Sequence, residues 1–100
     1  MSSQFINDLP KLKTTNFKSA EHLLPSITEA ARNYIYNKSL ERELTQSELK
    51  FLQKHAKDIF ELAEGSEKLK VLKKLGPKFL VKFLAPIERF ISTDYELGAG

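Results

Sequence analysis

An all-α fold follows from three features of the sequence. Apolar side chains recur at helical spacing in four stretches, helix-start and helix-stop residues stand between those stretches, and no alternating run of β-branched residues occurs. Four helical segments with short links and complementary apolar stripes predict a small antiparallel four-helix bundle-like domain. The whole chain, 1–100, reads as one domain, with a short N-terminal lead-in (1–16) and a polar C-terminal tail (92–100).

In the lead-in, Phe5, Ile6, Leu9 and Leu12 form one amphipathic turn that Pro10 interrupts. Asn16 or Ser19 is placed to cap a first helix. Pro25 then either ends a short helix near Leu24 or kinks a longer one. From Pro25 onward Ile27, Ala30, Ala31, Tyr34 and Ile35 keep helical spacing, with Glu29, Arg32 and Asn33 on the other face. Asn37, Lys38 and Ser39 mark an end, although Leu40 and Leu44 could extend it.

Thr45-Gln46-Ser47-Glu48 is a capping box, and Leu44 with Leu49 fits the hydrophobic staple around it. The second long helix should therefore start at Thr45. Its stripe is Leu49, Leu52, Ala56, Ile59, Phe60 and Ala63, and it should run to Gly65 in the left-handed position beyond its end. Lys54 with Asp58 and Lys57 with Glu61 stand four apart, the spacing of surface ion pairs.

Ser66 caps a third helix over 67–75, with Leu69, Leu72 and Leu75 on one side. Gly76-Pro77 ends it and opens a fourth, because proline at a first helical position gives up an N–H that has no partner anyway. The fourth helix, 77 to about 91, is apolar around most of its circumference, which places it centrally. Pro86 should bend it, since the Lys82 carbonyl loses its donor. The expected core is Ile27, Ala31, Leu49, Leu52, Ile59, Phe60, Leu72, Phe83, Leu84 and Ile87.

Composition narrows the function. There is no Cys, so disulfides and thiolate metal sites are excluded. The first eight residues lack a basic stretch followed by an apolar run, so no secretory leader is expected. The longest near-apolar run, 79–87, is too short to cross a bilayer. A cytoplasmic location is the expectation. His22 and His55 are the only histidines and neither belongs to an H-x-x-x-H or E-x-x-H pattern, so packing or surface roles are expected. Glu41 with Glu43, and Glu61 with Glu64, lie among charged neighbours on wet faces, which is poor ground for acid–base chemistry. No glycine-rich phosphate loop is present. A non-enzymatic protein without metal, cofactor or catalytic residues is expected.

Charge placement is the most informative feature. Residues 1–65 are balanced, residues 66–91 carry +5, and residues 92–100 carry −2. Lys70, Lys73 and Lys74 fall on one side of the third helix, and Lys78, Lys82 and Arg89 on one side of the fourth. The plainest reading is a solvated face whose lysine stems cover apolar surface. The functional reading is a partner-binding face over 66–91. There Lys73, Lys74, Lys78, Lys82 and Arg89 would supply the field, and Phe79, Phe83 or Phe90 a buried anchor. The expected partner is another protein. An anionic membrane surface is the alternative, self-association is open, and nucleic acid ranks lower because Arg is scarce and no aromatic alternates with the lysines.

In size, helicity, lysine richness and lack of Cys, the chain is similar to the small cytosolic immunity proteins that protect bacteria from their own bacteriocins. The resemblance implies a helical regulatory protein that works by binding another protein.

Overall fold

The computed structural model describes residues 23–99 in backbone and residues 23–91 with their side chains. The expected lead-in over 1–16 and a first helix capped by Asn16 or Ser19 lie outside the described residues. All regular structure described is helical: α1 (Leu24–Tyr36), α2 (Lys38–Arg42), α3 (Gln46–Lys54), α4 (Ala56–Glu64) and α5 (Lys68–Ala99). The radius of gyration is 13.0 Å, the value expected of a compact chain of this length.

A short helix ending near Leu24 would lie outside the described residues, and Pro25 does not kink α1. It stands in the first turn of α1, where a missing N–H leaves nothing unpaired. The inward face of α1 is Ile27, Ala30 and Ala31, all fully buried. Asn37 leaves the helical region and its side-chain oxygen accepts from the Ser39 and Leu40 N–H groups. One residue thus ends α1 and caps the single-turn α2, which buries Leu40. The Thr45–Glu48 capping box opens α3 as the sequence predicts.

The long helix expected from Thr45 to Gly65 is interrupted. His55 takes non-helical angles (φ −107°, ψ 19°), dividing α3 from α4. The buried arc also differs from the expected one. Ile59, Leu62 and Ala63 are buried, Leu49 and Leu52 are half-buried, and Phe60 is 56% exposed. Phe51, His55 and Leu62 lie on the inner side in place of Phe60. Phe51 and Phe60 stand nine residues apart, on opposite sides of any continuous helix, so the side that turns Phe51 inward turns Phe60 outward. Phe51 meets the rings of His55 and Phe79 and Leu62 is fully buried, while Phe60 faces solvent.

The separately expected third and fourth helices are the two arms of α5, divided by a kink at one non-helical residue. Gly76 sits at φ 81°, ψ 176°, a region open essentially to glycine alone. The left-handed glycine is therefore this one. Gly65 is extended (φ −81°, ψ 175°). Pro86 is buried and accommodated without a non-helical residue. The expected tail is also helical, since α5 continues through Ala99 and no proline or glycine stands between Pro86 and Gly98.

The core collects Leu23, Ile27, Ala30, Ala31, Leu40, Ile59, Leu62, Ala63, Leu72, Phe79, Leu80, Phe83, Leu84 and Ile87. The most extensive helix contact is between α1 and α4, and α5 packs on both. Glu48 meets Arg89, His55 meets Phe79, and Asp58 meets Lys74. Position along α3–α4 thus rises as position along α5 falls, and the break at His55 lies level with the break at Gly76.

Candidate functional site

Where α3 passes α5, the two helices leave a groove of about 320 Å³. Ser47, Glu48, Phe51 and Leu52 form one wall, and Lys82, Ala85 and Pro86 the other. The spacing explains the lining. Residues 48, 51 and 52 share one face of a helix, as do 82, 85 and 86. Ala85 is exposed and too short to fill the gap, and Pro86 presents a ring without an N–H. The result is an apolar trough with a lysine at its rim.

The expected basic face is partly realised. Lys73, Lys78 and Lys82 are exposed, and none has an ion-pair partner among the described residues. Lys74 is different, because its ammonium lies 3.0 Å from Asp58 Oδ1 and ties the first arm of α5 to α4. Arg89 is different too. It donates to both carboxylate oxygens of Glu48 and, at 3.0 Å, to the Glu43 carbonyl. These two cations hold helices together. The anions predicted to pair with Lys54 and Lys57 are likewise engaged elsewhere: Asp58 by Lys74, and Glu61 by the Glu67 N–H at 3.0 Å.

The apolar half of the expected face requires a correction. Phe79 is 6% exposed and Phe83 is fully buried, so neither is available as a surface anchor; Phe90 is half-buried against the core. Their rings belong to an internal ladder. Tyr34 and Phe83 have centroids 5.0 Å apart, Phe83 and Phe79 are stacked at 5.4 Å, and Phe79 meets Phe51 at 5.3 Å and His55 edge-on at 4.9 Å. His55 thus packs within the ladder, with Nδ1 4.0 Å from Asp58 Oδ2. The apolar surface beside the lysines comes instead from Phe51, Leu52, Ala85 and Pro86. Leu52, expected in the core, is half-buried at its edge, and neither Phe51 nor Ala85 belongs to an expected stripe. The available signal was Phe51 standing next to Leu52, with one helix face unable to bury both fully.

The polar groups behind the groove are held firmly. Glu48 Oε1 accepts from the Thr45 N–H at 2.8 Å while Arg89 grips the same carboxylate. Hydrogen bonding by Arg89 first, aided by Thr45, lowers the Glu48 pKa to about 2 against a burial effect of opposite sign. Deeper in, the Tyr34 hydroxyl donates to the Phe83 carbonyl, and burial raises its pKa far above the usual phenol range. Neither group is poised to transfer a proton near neutral pH.

A larger and shallower hollow of about 750 Å³ runs along α1 and α2 past Arg32, Asn33, Tyr36 and Asn37. These four polar side chains are already engaged. Arg32 and the Tyr36 hydroxyl both donate to Glu64, and Asn33 and Asn37 bond within their own turns. Among the described residues, no three His, Asp or Glu side chains come together as metal ligands. No helix searched among them is long and apolar enough to cross a membrane. Comparison with protein-family models, curated proteins and solved structures found no match.

Proposed function

We propose that this chain is a non-enzymatic helical binding module, with an antiparallel four-helix bundle architecture, that regulates another protein by docking it on the basic side of α5. The observation that carries this reading is the groove between α3 and α5 with exposed Lys82 at its rim and exposed Lys78 one turn before it. Lysines supply attraction at a distance, and the trough of Phe51, Leu52 and Pro86 supplies burial on contact. Arg89 and Lys74, paired with Glu48 and Asp58, act in folding on this reading. The likeness to bacteriocin immunity proteins in size, helicity and lysine content supports an immunity-type role in the cytoplasm.

A photo-crosslinking residue placed at position 85 in the source cell tests the proposal. A protein adduct is expected, reduced when Lys73, Lys78 and Lys82 are all changed to Gln in a chain that still folds. Absence of any protein adduct at position 85 rejects it. Adducts with lipid or nucleic acid, lost steeply as salt rises, would favour the membrane or nucleic-acid alternative.

A further inference from the structure

Resting on that reading, we infer that the occupant of the groove is an acidic amphipathic helix. It would set one large apolar side chain over Leu52 and Pro86 and place carboxylates one turn apart against Lys78 and Lys82. The charge balance selects an anionic ligand. Arg89 and Glu48 neutralise each other at one end of the trough. Lys82 and Lys78 remain, exposed and without an ion-pair partner among the described residues. They stand four residues apart on one helix, so their ammonium groups match two carboxylates that are themselves three or four apart on a facing helix.

Shape selects a helix. The groove is a trough between two helices, the kind of surface that receives a third along its length, with side chains at helical spacing as anchors. No strand is present among the described residues to receive an extended segment. A bilayer fits poorly, because a helix lying in an interface exposes several large apolar residues on one side. On α5, Val81 is the only large hydrophobic residue counted as exposed among the described ones. Duplex nucleic acid also fits poorly. It is held through many phosphate contacts, whereas this trough has the Glu48 carboxylate in its wall and its arginine already paired.

The probe is a synthetic helical peptide with leucine along one seam and glutamate flanking it, titrated into the labelled protein by NMR and fluorescence anisotropy. Amide shifts centred on Phe51, Leu52, Lys82 and Ala85 are expected. Lys78→Gln with Lys82→Gln should weaken binding about tenfold, the scale of two partly exposed charge pairs. Ala85→Gln, at an exposed position that tolerates the longer side chain, should obstruct the trough and weaken binding by about as much. A peptide with glutamine in place of glutamate should bind more weakly and no longer distinguish native protein from the lysine variants. Circular dichroism of each variant establishes that it is folded. Equal binding of the glutamate and glutamine peptides, or shifts elsewhere on the protein, overturns the inference. So does a response of these amides to phosphatidylglycerol vesicles or duplex DNA but not to the peptide. If position 85 crosslinks to a protein and the acidic peptide does not bind, the occupant is wrong and the binding-module reading stands. If no protein crosslinks there, that reading itself falls.

Discussion

Arg89 holds Glu48 through both terminal nitrogens, Nη1 on Oε2 at 3.0 Å and Nη2 on Oε1 at 2.8 Å. Two parallel charge-assisted bonds of this kind fix direction as well as distance. They join the first turn of α3 to α5 more than 40 residues away in sequence. The same carboxylate completes the capping box, so one side chain serves a local and a long-range contact.

Acid should therefore act on this pair. The Glu48 pKa is lowered from an ordinary 4.5 to about 2 in the folded protein. A depressed carboxyl contributes stability that is fully present above its unfolded value and disappears as pH falls through the folded one. The native protein should lose about 1 kcal/mol from this source between about pH 4.5 and pH 2, a modest amount because Arg89 is half exposed to solvent. Urea unfolding across that range should show a steeper decline for the native protein than for Glu48→Gln. Parallel declines would mean that the pair contributes nothing.

Tyr34→Phe should cost about 1 kcal/mol or somewhat more. It removes the hydroxyl from the buried Phe83 carbonyl and leaves the ring contact intact. Denaturant unfolding gives the number. A neutral substitution would show that the helix satisfies that carbonyl without the tyrosine.

The two glycines of the α4–α5 region should fail for different reasons. A methyl at Gly76 meets no atom within 4 Å, so Gly76→Ala should cost ~1–3 kcal/mol through the backbone angle alone. A methyl at Gly65 would fall 2.0 Å from the Glu61 carboxyl carbon. That side chain can swing away, at the loss of its bond to the Glu67 N–H. Gly65→Ala should then cost about 1 kcal/mol in the native background and less once Glu61 is already Ala. Additive effects of the two changes would contradict the steric account.

Leu62→Ala should destabilise by ~2–5 kcal/mol, because Leu62 is fully buried between helices. Phe60→Gln should change stability by less than about 1 kcal/mol. The opposite ranking, measured by thermal or urea unfolding, would restore the arc that simple spacing suggests.

That last pair shows where sequence reading succeeds and where it stops. Local chemistry was legible: the Thr45–Glu48 box, the punctuation at Gly76-Pro77 and the inward stripe of α1 are each written in a few neighbouring residues. Choices that depend on a distant partner were not. Phe51 and Phe60 lie on opposite sides of a helix, and the inward choice goes with the Phe79 ring that meets Phe51. Arg89 and Lys74 count as surface charge until Glu48 and Asp58 are known to face them. The lysine half of the candidate site was visible for the same reason that its apolar half was not. Charge runs along α5, whereas the groove needs α3 beside it.

The ladder from Tyr34 through Phe83 and Phe79 to Phe51 and His55 also gives the molecule a built-in optical signal. There is no Trp, so the near-ultraviolet spectrum comes from tyrosine and phenylalanine. Rings held at fixed tilts in an asymmetric interior give circular dichroism there, and rings that tumble do not. Loosening of α1, α3 and α5 from one another would erase that band while the far-ultraviolet helix signal persists. Loss of tertiary order can then be told from loss of helix without attaching any label.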